Sequence, residues 1–177
     1  MSRSLNNPSK SKPSITKPSY RVVSLLLFLT SIIGMAFALY LQYYQKLDPC
    51  PLCIFQRIGL MGMGLISLIA FLHHPKALWK RRAYALLATL SVGWSFLVAA
   101  RHVWLQHLPP EDVPACGPGL DYWLDTFPLK DVVQKVLHGS GECAVIDWTF
   151  LGQSLPTWAL VFFTGLLLLN LWQLIRR

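Results

Sequence analysis

The sequence predicts an all-α membrane protein, a bundle of four transmembrane helices with one long outer loop that carries a short amphipathic helix. Three observations predict it. Of 177 residues, 54% are hydrophobic and only 14% charged, a poor match to an ordinary soluble surface. Four apolar runs, at 22–44, 54–72, 83–104 and 157–175, each approach the roughly 20 residues a helix needs to cross hydrocarbon. The charges are also sorted by the segments between those runs.

Residues 1–21, rich in Ser, Pro, Lys and Asn, cannot bury enough apolar surface to fold and read as a disordered tail. The membrane domain is then 22–177. Its first run contains Ala36-Phe37-Ala38, which resembles a cleavage site, but it extends through Tyr44. That is longer than the apolar core of a signal peptide, so the run reads as a retained span. A short connection at 45–53 leads to the second run, where Gln56 and Arg57 sit near the start. "GLMGMG" at 59–64 lies inside this span with no preceding strand. Its glycines therefore read as close helix packing, not as a nucleotide loop.

The third run leads to the long connection, about 106–156. Within it Phe127, Leu129, Val132, Val133, Val136 and Leu137 recur at helical spacing, with Lys130, Asp131, Gln134 and Lys135 between them. The pattern predicts a short amphipathic helix, either lying on the membrane surface or packed against the rest of the loop. Gly117, Pro118 and Gly119 beside Cys116, and Gly139, Ser140 and Gly141 before Cys143, predict flexible flanks. No second domain or internal repeat is visible.

The net charge of +8 raises the question of nucleic acid. Its distribution answers it. Arg3, Lys10, Lys12, Lys17 and Arg21 precede the first span, Lys76, Lys80, Arg81 and Arg82 separate the second from the third, and Arg176 and Arg177 follow the fourth. No acid accompanies them; all eight acids fall in the other two loops. By the positive-inside rule both termini and the 73–82 loop are cytoplasmic, and 45–53 and 106–156 face outward. Orientation thus accounts for the basic residues, and no basic fold remains to bind nucleic acid.

All four cysteines, Cys50, Cys53, Cys116 and Cys143, lie in the two outward segments. An even number with none on the reducing side fits an oxidising compartment such as a bacterial periplasm. Two structural disulfides are one reading. For "DPCPLCIFQR" at 48–57 it is the weaker one, because a bridge across two residues closes too short a loop to remove much unfolded-chain entropy. Exchange chemistry suits it better. Pro51 fits the first helical position, so Cys50 reads as the N-cap and Cys53 falls in the first turn, where exposed N–H groups favour a thiolate. Arg57, one turn deeper on the same face, can support a Cys53 thiolate or an anionic ligand, or can simply reach for the headgroups. Zinc is the other use of four cysteines, but the second pair has 26 residues between its members and flanks unlike zinc knuckles, and His102, His107 and His138 show no ligand spacing. No metal is expected. A tetraspan scaffold with disulfide-stapled loops and a zinc-binding module are the alternatives to a redox enzyme.

The chain resembles the DsbB family of bacterial inner-membrane enzymes, which reoxidise the periplasmic thiol oxidase DsbA. The resemblance covers about 22–177 and rests on "PCPLCIFQR" between the first two spans, "SGECA" at 140–144, "DWTFLG" at 147–152, "LPTW" at 155–158 and the four-span order. It implies a quinone-dependent, disulfide-forming oxidoreductase with ubiquinone or menaquinone as acceptor. Its partners would be a DsbA-like thiol oxidase, the quinone pool and membrane lipid. The resemblance assigns Cys50 and Cys53 to the quinone, Cys116 and Cys143 to the thiol oxidase, and Arg57 to the support of quinone reduction. Gln56 stands where some members carry an acid. Arg101, His102 and His107 are further candidates for lining the quinone pocket.

Overall fold

Hydrocarbon offers backbone groups no hydrogen bonds, so each apolar run must satisfy its own as a helix. The computed structural model describes residues 19–117, 119–146 and 148–176. Its first helices are α1 (Tyr20–Tyr43), α2 (Pro51–His73) and α3 (Leu78–Leu105). The short helices α4 (Leu120–Thr126), α5 (Leu129–His138) and α6 (Gly141–Ala144) follow, then a two-stranded hairpin and α7 (Leu155–Ile175). Among the described residues α1, α2, α3 and α7, of 24, 23, 28 and 21 residues, are long and apolar enough to span a bilayer. The chain is a multi-pass, all-α membrane protein.

The helices overrun the apolar runs. α2 begins at Pro51, the start that the proline predicts, three residues ahead of its apolar run. α3 begins at Leu78, ahead of the apolar run at 83, because a helix continues through interfacial residues such as Lys80 and Arg81 that its apolar pattern does not count. The expected tail lies outside the described residues as far as position 18, and α1 starts at Tyr20.

α2 packs on α1 and α3, and α3 packs on α7. Val23, Leu27, Leu60, Met63, Ala88, Val92, Ala99, Phe163 and Leu166 form the mid-bundle core. The expected close packing at "GLMGMG" is present. A Cβ on Gly59 would run into the Ser91 carbonyl and Ser95, and one on Gly64 into Ser31. Ser31, Ser91 and Ser95 donate to the carbonyls of Leu60, Gly59 and Gln56 at 2.9, 2.9 and 2.8 Å. Small residues let backbones approach, and each hydroxyl finds an acceptor within the bundle. Outward-facing apolar side chains such as Ile33, Leu90 and Leu168 are more than half exposed, as a surface meeting lipid tails requires.

A second core closes one end of the bundle. Leu52, Val98 and Leu105 from the spans meet Trp123, Val132, Val136 and Cys143 from the long connection. The α5 apolar face is thus spent on protein, with Val132 and Val136 buried and Leu129 outside. Arg101 fastens the far end of α5, donating to the Leu137 and His138 carbonyls at 3.1 and 2.7 Å. The flank expected to be flexible before Cys143 is instead packed: Ser140 and Gly141 are buried. Gly139 is required there twice over, by its φ of 90° and by Leu105, which a Cβ would strike. The other flank includes Pro118, outside the described residues.

The hairpin pairs Thr149 with Ser154 and Phe150 with Gln153. It turns through Leu151 and Gly152, at φ 51° and 76°, the backbone of a two-residue primed turn. Sequence reading did not find it, since leucine is a poor signal for that first turn position.

Candidate functional site

The site forms where the second core meets the start of α2. Cys50 is the N-cap in extended conformation, φ −64° and ψ 162°, and Pro51 opens the helix. Proline at the first helical position loses no hydrogen bond and presets the helical φ. One turn then carries Cys53 back toward Cys50, leaving the two Sγ atoms 3.2 Å apart. Both cysteines are partly buried.

α3 supplies the floor. His102 is 3% exposed and lies beneath the pair, with Nε2 3.8 Å from Cys50 Sγ and Nδ1 3.9 Å from Cys53 Sγ. Gln56, one turn after Cys53 and itself buried, holds its amide nitrogen position 3.4 Å from His102 Nδ1. An amide can present oxygen or nitrogen from the same place, so Gln56 can accept from a protonated Nδ1 or donate to a bare one.

α6 brings the third sulphur. Cys143 is buried, and its Sγ, the Cys50 Sγ and a ring nitrogen of His102 lie within 4.8 Å of one another. Ser140 Oγ stands 3.7 Å from the Cys143 sulphur. Hydrogen bonding to Cys50, then burial, holds the Cys143 thiol well above the usual thiol range. Cys116 differs: it is exposed, and its sulphur sits against Gly141, where a Cβ would come to 2.9 Å. All four cysteines are free thiols in this structure. Beside Cys116, an open groove of about 840 Å³ is lined by Pro114, Ala115, Trp123, Phe127 and Ser140 among others.

The remaining sequence candidates separate. Arg57 reaches across to α1, where Nη1 donates to Gln42 Oε1 at 2.5 Å and Nη2 to the Ala38 carbonyl at 3.3 Å. Arg101 is the clamp on α5 and stacks 4.1 Å over Trp104. His107 is exposed and turned back on the Val103 carbonyl, 2.8 Å away. Of the three residues suggested for the pocket, only His102 reaches the cysteines. Gln56 as the partner of His102 was not foreseen; its place three residues after Cys53 was the available signal.

Residues 20–173 match the family model described as Disulfide bond formation protein DsbB. The chain is similar to Disulfide bond formation protein B of Acinetobacter baylyi, 64% identical over 159 residues that cover 90% of this chain and 93% of the relative. It is likewise similar to the protein of that name from Acinetobacter baumannii, 64% identical with 89% and 92% covered. The one from Psychrobacter cryohalolentis is 54% identical, again with 89% and 92% covered. The chain belongs to the DsbB family, and its role is that of a disulfide-forming oxidoreductase.

Proposed function

We propose that this DsbB-family chain reoxidises a DsbA-like thiol oxidase and delivers the two electrons through Cys116–Cys143 and then Cys50–Cys53 to a membrane quinone, ubiquinone or menaquinone. The observation that carries the reading is the meeting of Cys143 and Cys50 on His102, with Cys116 left outside. A relay needs one sulphur open to a protein and another shielded beside the membrane, and these positions offer both.

Each step is a thiol–disulfide exchange in which one S–S bond forms as another breaks. A partner thiolate attacks the Cys116–Cys143 disulfide at Cys116, the exposed sulphur, and Cys143 leaves. Cys143 then attacks the Cys50–Cys53 disulfide at Cys50, releasing Cys53. The partner's second thiol displaces Cys116, which completes the partner's disulfide. Cys116 finally attacks Cys143 and frees Cys50, so two electrons now reside on Cys50 and Cys53. The groove beside Cys116 leaves room for the partner's chain to approach.

A quinone accepts two electrons and two protons when bound. The chemistry of the residues around Cys53 fits such a group: Arg57 can donate to a carbonyl oxygen, and His102 with Gln56 can donate or accept. His102 stands where protons leaving Cys50 and Cys53 can be taken up, and Arg57, anchored on α1, supplies a fixed positive charge. Purified protein given a reduced DsbA-like dithiol should reduce quinone with one oxidised partner formed per quinol. Partner oxidation without quinol would refute the quinone assignment.

The sorting of charges supports cytoplasmic termini and a periplasmic cysteine end, in a bacterial inner membrane. Reporter fusions at residue 78 and near residue 125 test this, and reports from the same side would overturn it.

A further inference from the structure

We propose that the fully reduced protein carries a redox-gated site for a thiophilic divalent cation of the Zn²⁺ class, formed by Cys50, His102 and Cys143. Three different elements supply the ligands: the N-cap of α2, the buried face of α3 and the short helix α6. No spacing in the sequence connects them, which is why knuckle arithmetic misses the cluster.

The donor set suits such an ion. Two sulphurs and an imidazole nitrogen are soft to borderline ligands, favouring zinc-like cations over magnesium or calcium. Zinc lies about 2.3 Å from sulphur and about 2.0–2.1 Å from nitrogen, so a tetrahedral site needs donors roughly 3.5–3.8 Å apart. Cys50 Sγ and His102 Nε2 are already 3.8 Å apart. The three donor atoms all lie within 4.8 Å of one another, so closure needs a shift of about an ångström. Cys143 lies on a single turn, well suited to that adjustment. Three protein ligands leave a tetrahedral ion one open position.

The surroundings also fit. Gln56 can accept from His102 Nδ1–H, which leaves Nε2 with its lone pair toward Cys50, the outer-shell arrangement of histidine ligands. Binding releases one proton from Cys50 and one from Cys143. Two thiolates and a neutral imidazole around a divalent ion carry no net charge, which favours a site buried among apolar side chains. Because uptake releases those protons, affinity rises with pH.

Oxidation of either cysteine pair removes a ligand, Cys50 in one case and Cys143 in the other, so only the doubly reduced protein can hold the ion. Resting on the relay proposed above, the ion would hold the enzyme off, because the two sulphurs it ligates are those that must exchange. Full-length protein in detergent is titrated with Zn²⁺ after reduction and after oxidation, with bound metal counted by elemental analysis. One equivalent is expected on reduced protein and none on oxidised protein. His102→Gln and Cys143→Ser should each weaken binding about 100-fold, and Cys116→Ser should leave it intact. Undiminished binding in both His102→Gln and Cys143→Ser would mean that Cys50 and Cys53 chelate alone, and would overturn the site. Oxidised wild-type protein is the control that needs no substitution: zinc retained there also overturns it. Metal counting and quinone turnover of the metal-free protein fail separately. A protein that turns over but takes up no zinc when reduced refutes this site, and one that binds zinc when reduced yet does not turn over once stripped of metal refutes the relay.

Discussion

The middle of the bundle and its cysteine end are both buried, yet they treat polar groups in opposite ways. In the middle, serine hydroxyls meet carbonyls of neighbouring helices at 2.8–2.9 Å. At the cysteine end, sulphurs, imidazole and amide lie 3.2–3.9 Å apart. Short hydrogen bonds to backbone fix one arrangement, because each serine has a single acceptor and leaving it unmet in hydrocarbon costs free energy. The contacts at the site, longer chiefly because sulphur is the larger atom, involve groups that can each bond several neighbours. Cys50 faces Cys53, His102 and Cys143, and a relay must change those pairings at every step. Asn170 is the mid-bundle exception: Nδ2 donates to the Leu166 carbonyl at 2.8 Å while Oδ1 has no partner among the described residues.

The sharpest way to break this contrast is to remove a sulphur. Replacing any of the four cysteines by serine should cut turnover about 10³-fold or more, with thermal unfolding unchanged. Cys143→Ser, mixed under a mild disulfide oxidant with a partner that lacks its second cysteine, should accumulate a covalent complex through Cys116. Peptide mapping reads the linkage; attachment at Cys50 or Cys53 would remove Cys116 from the entry position.

The mid-bundle should respond in the reverse sense. Gly59→Val drives methyl groups into the Ser91 carbonyl and Ser95 and should cost about 1–3 kcal/mol of stability, read as a lower melting temperature in detergent. Turnover per folded molecule should change far less than in any cysteine variant. An unaltered melting point would mean that the α2–α3 approach is not as tight as its glycines indicate.

Arg57 sits on the border between the two regions, tied to α1 yet one turn from Cys53. Arg57→Met keeps the bulk and removes the cation, so quinone turnover should fall on the order of tenfold, about 1.4 kcal/mol in the barrier. Insertion should survive, and lysine should restore part of the rate. Unchanged kinetics in Arg57→Met would make the arginine a packing element alone.

The smallest effect is a displaced pH profile. Because the Cys143 thiol is raised, its thiolate appears only above the ordinary thiol range, so alkylation in reduced protein should lag at neutral pH and climb as pH rises. Cys50→Ala removes the first cause of the elevation and should move that profile toward lower pH. Mass spectrometry of the Cys143 peptide over a pH series reads it, and a profile indifferent to Cys50 would separate the two sulphurs.

The four spans, the sorting of charges, the helix start at Cys50-Pro51 and the close packing of "GLMGMG" are legible in the order of the amino acids. These are local or periodic properties: apolar length, loop charge, proline geometry and small residues in a span leave their mark on neighbouring positions. Tertiary structure decided what the loop helix covers, since Val132 and Val136 could have met lipid or protein with the same periodicity, and the surface formed by Leu52, Val98 and Leu105 captured them. It also decided between His102 and His107. Both lie near the end of α3, five residues apart, and only packing turns one toward the cysteines and the other onto its own backbone. The meeting of Cys50 with Cys143 is the furthest from what sequence can show, because 93 residues and several chain reversals separate them. Their proximity follows from α5 docking and from glycines that let the Cys143 segment lie against the segment around Cys116, contacts that exist only once the bundle end has closed.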